Sequence, residues 1–459
     1  MNREQKSPVS HWSKWKWLYP NLKVKRWFFL ASVGIFFFAT GFAVMNNGIA
    51  LGYLELKFRE AIYQLTGNVP SNAIPAGILI SACGILLTVM GFRRGLRSII
   101  SILLPDEEIK IVDTVYSRQS LRRGPHIVVI GGGTGLSALL RGLKDFTSNL
   151  TAIVTVADDG GSSGTLRNEM GVLPPGDIRN CLVALADKED IMEDLFSYRF
   201  EAGTLAGHSL GNLLLAGMAD VCGDFQVGVD RISKIFALRG NVYPSTLEQV
   251  TLSARLANGK FVTGETNVRC TEGRIVRVSL TPEDCRPLPE ALAALRQADL
   301  IVLGPGSLYT SVLPNLLVQG LCEQIRTAEA PCVYVCNIMT EPGETDGYQA
   351  VDHVRELLSH CGSGVLDAVL LNSQEISGRL LDRYVQEGSQ PVDSTTAEIE
   401  RFGIKCFTDD LVSDGAVVRH DSRRLAKALI RILFRMKPIG EKLALLDTYI
   451  LAYKSRQER

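Results

Sequence analysis

The sequence predicts an α/β domain built on a mostly parallel sheet and preceded by a pair of apolar helices. From residue 126 onward, short apolar runs alternate with helical patterns, and two of these runs end directly in glycine-rich turns. Strands that alternate with helices form parallel sheets that are covered on both faces. Two charge-free stretches of nineteen residues near the N-terminus predict the helix pair.

Charge is distributed unevenly along the chain of 459 residues, although the formal net charge is zero. Residues 1–125 hold 16 Lys and Arg against 7 Asp and Glu, which leaves 33 against 42 for residues 126–459. An acidic globular region without a basic stripe argues against a general nucleic-acid-binding protein. The ten cysteines include no CxxC pair, so the sequence predicts no metal site and favours reduced thiols in the core.

The N-terminal region, residues 1–104, is predicted to be a basic tail followed by a transmembrane hairpin. The two helices are expected at about residues 27–47 and 74–92, and nineteen helical residues span roughly 28 Å, close to the thickness of the hydrocarbon layer. Seven Lys and Arg precede the first helix, and Arg93, Arg94 and Arg97 follow the second. The positive-inside tendency then predicts a multi-pass protein of the inner membrane whose main domain is cytoplasmic. Residues 105–125 are interpreted as a linker, and residues 126–459 as the main domain.

The first glycine-rich turn lies within HIVVIGGGTGLSALLR, residues 126–141. Ile127–Ile130 is predicted to be a buried strand, and a helix begins soon after the turn. The candidate ligand-binding residues are Gly131, Gly132, Gly133, Thr134 and Gly135, because glycines allow close approach and free helix N–H groups bind anions. A purely structural turn is the alternative. Leu136 replaces the third glycine of a dinucleotide fingerprint, and no Gly-Lys-Ser/Thr follows as in a Walker loop.

A second predicted strand, Leu150–Ala157, ends in two adjacent acids and the sequence GGSSG. Asp158, Asp159, Ser162 and Ser163 are expected to face the same crevice as the first turn, since ligands bind outside the carboxyl ends of parallel strands. The alternative is that Asp158 only caps a turn.

Further candidates follow along the chain. Asn212 lies in the first turn of a predicted helix over residues 207–220, and residues 247–281 are predicted to form an antiparallel β-hairpin insertion. Asp299–Leu303 is a predicted strand that ends in the second turn, with Gly304, Gly306 and Ser307 as candidates. Tyr309 is a candidate to stack on a base or sugar, and packing beside the turn is the alternative. Two such turns at one edge clamp a ligand that carries two phosphates, or a phosphate and a sugar. Asp346 and Asp352 are candidates of low specificity, and the chain is predicted to end in a helix.

At GGGTG, VADDGGSSGTLR, LPPGDIRNCL, GHSLGN and LGPGSLYTSVLPNL the chain resembles the gluconeogenesis factor family, the YvcK-like branch of the CofD/YvcK superfamily. The resemblance extends from about residue 125 to about residue 435. It implies a Rossmann-like domain that binds a nucleotide sugar such as UDP-N-acetylglucosamine and acts in cell shape, cell-wall synthesis and growth on gluconeogenic carbon. It also implies ligand contacts at Gly131–Gly135, Asp158, Asp159, Asn212, Gly304–Ser307 and Tyr309.

The other branch of the superfamily is similar to 2-phospho-lactate transferase, which uses a guanosine-linked lactyl phosphate, magnesium and a deazaflavin acceptor. In that branch, residues of the Asn-Thr type precede the paired acids, whereas Val156-Ala157 precedes them in this chain. The difference favours the regulatory branch. Many members of the family are soluble, and the predicted membrane hairpin departs from that pattern.

Three hypotheses follow for the function. The first is a nucleotide-sugar-binding regulator held at the inner membrane, with the nucleotide sugar and cell-wall synthesis proteins as partners and without identified catalytic residues. The second is a phosphoryl transferase that uses Asp158 and Asp159 with Mg²⁺. The third, a nicotinamide-dependent oxidoreductase, is disfavoured by Leu136. The sequence leaves open whether Mg²⁺ takes part and whether the protein forms a homodimer.

Overall fold

The structure is a computed structural model that describes residues 25–45, 56–57, 60, 63–64, 74–103, 119, 121–376, 378–413, 415 and 417–437. The chain divides into two compact units, residues 1–115 and 116–459. The predictions made for the basic tail, for most of the linker and for a C-terminal helix concern segments outside the described residues.

The first unit contains two long apolar helices, α1 (Lys25–Met45) and α2 (Ile74–Leu103), that pack against each other. Glycines spaced seven residues apart lie at their contact. A Cβ placed on Gly84 would lie 2.4 Å from the Phe38 backbone nitrogen, and one on Gly41 would lie 2.5 Å from the Ser81 nitrogen. Small residues at such spacing let helix backbones approach closely. The contact therefore depends on having no side chain at these glycine positions.

The outward surfaces of these helices are apolar. Mean hydropathy is 2.1 over Arg26–Met45 and 1.5 over Gly77–Gly95. Only 28% of the first stretch and 22% of the second is buried. Phe29 and Leu79 are 71% and 68% exposed. By length and composition, both helices can therefore cross a membrane.

The second unit is built on a seven-stranded parallel sheet with the strand order β10-β9-β8-β7-β1-β2-β3. Apolar side chains fill these strands, as expected for a sheet that is buried on both faces. The sheet strands are β1 (Ile127–Gly131), β2 (Leu150–Val154), β3 (Asn241–Pro244), β7 (Leu300–Leu303), β8 (Cys332–Val335), β9 (Ala368–Asn372) and β10 (Lys405–Asp409). The predicted α/β, Rossmann-like architecture is confirmed.

Strand β1 lies at the point where the strand order reverses. The chain passes from β1 to β2 and β3 on one side, and later forms β7 to β10 on the other. The register places Gly131 beside Val154 of β2, and Ile130 beside Leu303 of β7. The turns after these three strands therefore leave the same edge of the sheet, where open α/β sheets bind ligands.

Helices connect the strands of this unit. They are α3 (Gly133–Leu143), α4 (Gly161–Met170), α5 (Gly176–Leu185), α6 (Glu189–Ser197), α7 (Leu210–Cys222), α8 (Phe225–Ile235), α9 (Glu265–Arg269), α10 (Pro289–Arg296), α11 (Leu313–Leu316), α12 (Leu321–Thr327), α13 (Ala350–Cys361), α14 (Gly378–Gln386), α15 (Ala397–Glu400) and α16 (Ser422–Met436). The segment after the second turn is a π-helical turn, Leu308–Val312, followed by the short α11. Pro314, which lacks an N–H donor, accompanies this break.

The insertion forms a small antiparallel sheet with β4 (Thr251–Leu256) between β5 (Phe261–Thr263) and β6 (Ile275–Thr281). The predicted hairpin is the β4–β5 pair, whose turn contains Gly259 at φ +82°. The third strand pairs with the other edge of β4, and α9 connects it to the hairpin. The insertion is therefore a three-stranded subdomain rather than a single hairpin.

All ten cysteines are free thiols, and five of them are buried: Cys181, Cys285, Cys332, Cys336 and Cys361. The others are partly or fully exposed, so the expectation of core thiols applies to half of them. Burial raises the pKa of the Cys336 thiol to about 12, which leaves it protonated and unreactive at neutral pH.

Candidate functional site

A cleft of about 460 Å³ opens at the edge of the sheet where β1, β7 and β8 end. Residues 132–135, 305–307 and 337–342 supply most of its lining. Residues 418–420, which lead into α16, also line it, and the other lining residues are Ala138, Arg269, Cys270, Ser311, Glu344, Tyr384 and Ser389. Because α16 packs against α3, the C-terminal part of this unit reaches a cleft that is otherwise built by the strand ends.

The first glycine-rich turn forms one wall of this cleft. Gly133 has φ +66°, a left-handed conformation that glycine adopts readily. A Cβ on Gly132 would lie 2.6 Å from Asp177 Oδ2, so this position also excludes larger residues. No side chain caps the start of α3 at Gly132. Gly133 N–H donates to the Asp177 carboxylate, so the remaining N–H groups of the first helical turn are the ones that can bind an anion in the cleft.

The second turn lies against the first. Gly304 has φ +76°, and a Cβ on Gly135 would lie 2.6 Å from the Pro305 carbonyl oxygen. Gly306 and Ser307 line the cleft together with Gly132, Gly133, Thr134 and Gly135. The structure thus brings the two predicted turns together. Gly131 and Gly304 lie behind the lining, where Gly304 N–H donates to the Ile130 carbonyl.

The paired acids after β2 do not line the cleft. Asp158 Oδ1 accepts from Gly160 N–H at 2.9 Å, as expected if Asp158 caps the turn. Ser163, which lies beside it, is buried. Asp159 Oδ1 accepts from Thr266 N–H at 3.0 Å and from Thr266 Oγ1 at 2.7 Å. Asp159 therefore holds α9 of the small sheet against the end of β2. The two acids thus lie outside the lining of this cleft, and their contact with a ligand stays a prediction.

Ser162 and Asn212 belong to a hydrogen-bond network outside the cleft lining. Asn212 Nδ2 donates to Ser162 Oγ at 3.1 Å, and Ser162 Oγ lies 2.9 Å from His208 Nδ1. Arg179 Nη1 donates to Asn212 Oδ1 at 3.0 Å and to Ser209 Oγ at 2.6 Å. Asn212 is 2% exposed, so its side chain ties α4, α5 and α7 together.

Tyr309 does not offer its ring to a ligand. The side chain is fully buried, and its hydroxyl lies 2.8 Å from the Tyr348 hydroxyl. The buried ring agrees with the packing alternative, because the π-helical turn places this residue in the core. Asp346 accepts from Gly343 N–H, and Asp352 belongs to the capping box of α13, so both low-specificity candidates have local structural partners.

The cleft residues that the sequence analysis missed include Glu341, Glu344 and His420. Glu341 follows β8. The rule that ligands bind outside the carboxyl ends of parallel strands, which was used for the residues after β1 and β2, therefore also applies to it. Glu344 accepts from Thr310 Oγ1 at 2.9 Å, and burial raises its pKa to about 8. His420 lies far along the chain, and no local sequence pattern marks it.

Carboxyl groups on the β2 side of the first turn have raised pKa values. Burial raises the pKa of Asp177, which accepts from Gly133 N–H, to about 6. Burial, together with the nearby charges of Asp158 and Asp159, raises the pKa of Glu265 to about 7. In the part of the chain that the structure describes, no group of three or more His, Cys, Asp or Glu side chains is arranged to hold a metal ion.

Replacing Asp177 by asparagine is expected to stabilise the protein at pH 8. An acid whose pKa is higher in the folded protein than in the unfolded chain contributes stability below pH 4 that is lost as the pH rises through about 6. Asparagine keeps an acceptor for Gly133 N–H and cannot ionise. The free energy of unfolding should rise by about 1–2 kcal/mol at pH 8, after a discount for partial solvent exposure.

Thermal or urea unfolding at pH 4.5 and pH 8 measures this effect. The Asp177→Asn gain should be present at pH 8 and nearly absent at pH 4.5. Asp194→Asn, at an exposed position on α6, is the matched control and should change little at either pH. An equal gain for Asp177→Asn at both pH values would contradict the explanation by ionisation.

Comparison with known proteins identifies relatives along most of the chain. A family model described as 2-phospho-L-lactate transferase CofD matches residues 127–412. A putative gluconeogenesis factor from Nostoc sp. is 44% identical over 437 residues, which cover 94% of this chain and 95% of that protein. The gluconeogenesis factor of Bacillus subtilis is 50% identical over 311 residues, 67% of this chain and 98% of its own length. A crystal structure of a Bacillus halodurans protein with 49% identity superposes with a TM-score of 0.66 and covers 67% of this chain.

Proposed function

The chain belongs to the CofD family, among its gluconeogenesis factors, and from that premise we propose that it is a regulator that binds a nucleotide sugar. UDP-N-acetylglucosamine is the ligand we favour. The observation that carries the proposal is the cleft at the reversal of strand order, lined by two glycine-rich turns that touch each other. The regulator is proposed to act on cell-wall synthesis and cell shape during growth on gluconeogenic carbon.

The dimensions of the cleft support a ligand of this class. Its volume of about 460 Å³ lies within the range of ligand pockets, which is roughly 300–1,000 Å³. Neighbouring strands lie about 4.8 Å apart, so the ends of β1, β7 and β8 span roughly 10 Å. A diphosphate with an attached sugar extends over a comparable distance. The N–H groups at the start of α3 other than that of Gly133, which donates to Asp177, suit the phosphates.

A phosphoryl transferase is the alternative function, and the description of the matching family model favours it. The carboxyl groups argue against it, because Asp159 is bonded to Thr266 and Asp158 caps its own turn. We therefore rank the regulator first.

The two apolar helices support a proposed location at the inner face of the inner membrane. Their outward apolar surfaces need an apolar environment, and the basic residues around them favour the cytoplasmic side. Extraction of membranes with carbonate and with high salt, without detergent, tests this part of the proposal. Release of the full-length protein into the soluble fraction would refute insertion.

Ligand binding is tested on the full-length protein in detergent micelles. Thermal unfolding and calorimetric titration are compared for UDP-N-acetylglucosamine, UDP, GDP and NAD, each with and without Mg²⁺. A ligand that binds only the folded state raises the unfolding temperature, so the UDP-sugar should give the largest rise. Stabilisation by GDP with Mg²⁺ and not by the UDP-sugar would favour the transferase.

A further inference from the structure

Trp27, near the start of α1, contacts two arginine side chains, one from each apolar helix. The Cζ atom of Arg26 lies 4.9 Å from the centroid of the Trp27 ring, and that of Arg94 on α2 lies 5.0 Å from the same point. Guanidinium groups within about 6 Å of an aromatic ring are attracted by its π electrons. The ring therefore holds two cations from different helices near each other.

Glycines on α2 bring Trp27 and Arg94 together. A Cβ on Gly91 would lie 2.7 Å from the Trp27 carbonyl oxygen, and one on Gly95 would lie 3.6 Å from the Trp27 Cβ. A larger residue at position 91 would push the two helices apart at this end. The approach of Arg94 to Arg26 therefore depends on the backbone contact between the helices as well as on the side chains.

The charges of the two arginines are not balanced within the helix pair. Because both guanidiniums lie about 5 Å from one ring centroid, they are at most about 10 Å apart, and like charges at such a distance repel each other. Neither helix contains an aspartate or a glutamate. Arg94 Nη1 donates to Met90 Sδ at 3.5 Å, and a thioether sulfur is a weak acceptor. Among the described residues, most of the guanidinium N–H donors therefore remain open to an anion.

Both arginines lie at the ends of the stretches that can cross a membrane. Arg26 begins the apolar stretch Arg26–Met45, and Arg94 is the last residue but one of Gly77–Gly95. In the proposed membrane location, these positions lie where the hydrocarbon layer meets the lipid headgroups, and tryptophan rings favour that depth. The anion that is abundant at that depth is the phosphate of a phospholipid.

A lipid phosphate matches the two arginines in charge and in geometry. Each guanidinium presents a planar fork of N–H donors that can bind two phosphate oxygens at once. The headgroup of a zwitterionic lipid also carries an ammonium group, which would bring a like charge close to both arginines. An anionic phospholipid such as phosphatidylglycerol carries no cation, so the arrangement favours a lipid of this class.

We propose that Arg26, Trp27 and Arg94 form a binding site for the phosphate of an anionic phospholipid. The site goes beyond the proposed function of the cleft, and it rests only on the proposed location of the two helices in a membrane. A lipid held by both arginines would also link α1 and α2 at the end of the hairpin away from its connecting loop.

Native mass spectrometry of the full-length protein in a neutral detergent tests the site, with phosphatidylglycerol and phosphatidylcholine as probes. At a salt concentration of about 0.5 M, charges more than roughly 5 Å apart are largely screened, so diffuse attraction contributes little. The unchanged protein should bind one phosphatidylglycerol at least about fivefold more tightly than phosphatidylcholine. Arg94→Gln should weaken phosphatidylglycerol about tenfold, because a charge-assisted fork of hydrogen bonds is lost. Arg94→Lys keeps the charge without the fork and should give a smaller loss.

Arg93→Gln is the matched control. Arg93 is the neighbouring exposed residue of α2, and successive residues of a helix point about 100° apart, so its side chain leaves a different face from that of Arg94. The affinity for phosphatidylglycerol should fall less than about twofold in this variant. Equal losses for Arg93→Gln and Arg94→Gln would show diffuse attraction and overturn the site.

Further outcomes identify the source of the phosphate and separate this inference from the proposed function. Inorganic phosphate in large excess should not displace the lipid, and displacement would overturn the assignment to a lipid headgroup. A protein that resists carbonate extraction but binds both lipids equally would overturn this site alone. Release of the full-length protein by carbonate would refute the proposed membrane location, and this inference would fail with it.

Discussion

Replacing Gly135 by alanine is expected to destabilise the protein by about 3 kcal/mol and to weaken the proposed binding of a nucleotide sugar more than tenfold. The new Cβ would lie 2.6 Å from the Pro305 carbonyl oxygen and 2.9 Å from its carbon. Both are backbone atoms, so the two turns must separate to accept the methyl group. Separation displaces the N–H groups that line the cleft, so stability and binding should fall together.

Gly217→Ala is the matched control for this substitution. Gly217 is also a helical glycine, on α7, and a Cβ there would meet nothing within 4 Å. Alanine is favoured over glycine inside a helix by up to about 1 kcal/mol, so this variant should be slightly more stable than the unchanged protein. Chemical denaturation gives both free energies. A stable Gly135→Ala variant with normal binding would show that the contact between the turns is not needed.

Replacing Arg179 by methionine should lower the free energy of unfolding by about 3 kcal/mol at pH 8. The guanidinium donates to Ser209, Asn212 and Asn180, and these acceptors lose their partner in the variant. Its charge also stabilises the ionised forms of Asp177 and Asp158. The loss should therefore be smaller at pH 5, where Asp177 is largely protonated.

Two further variants separate charge from geometry at this position. Arg179→Lys keeps the charge but loses the planar fork of donors, so an intermediate loss is expected. Arg231→Met, at an exposed position on α8, should change the free energy of unfolding by less than about 0.5 kcal/mol. Urea unfolding at pH 5 and pH 8 provides the comparison. A loss for Arg179→Met that is independent of pH would assign the whole effect to the hydrogen bonds.

The sequence was informative wherever the physical requirement was local. A charge-free strand followed by glycines needs only neighbouring residues to specify a buried strand, a tight turn and a helix start. The turns at Gly131–Gly135 and Gly304–Ser307 were therefore placed correctly, and the parallel sheet then put them at one edge. The apolar helices were also recognisable from their length and lack of charge.

The hydrogen-bond partners and the burial of polar side chains could not be predicted from local sequence patterns. Asp158 and Asp159 follow a strand at the correct edge, but the approach of Thr266 from the small sheet engages Asp159. Tyr309 follows a glycine-rich turn, but the π-helical turn directs its ring inward. Each outcome depends on a segment distant in the chain or on the exact path of the backbone.

The amino-acid sequence by itself determined the family, the alternation of strands and helices and the two glycine-rich turns, because each of these follows from a local pattern. Only the tertiary structure decided which polar groups face the cleft. Glu341 reaches it because β8 lies beside β7, and His420 reaches it because α16 packs against α3. A polar side chain forms hydrogen bonds with the groups that lie close to it in the folded protein. The separation of two residues along the chain does not show whether they lie close together in space.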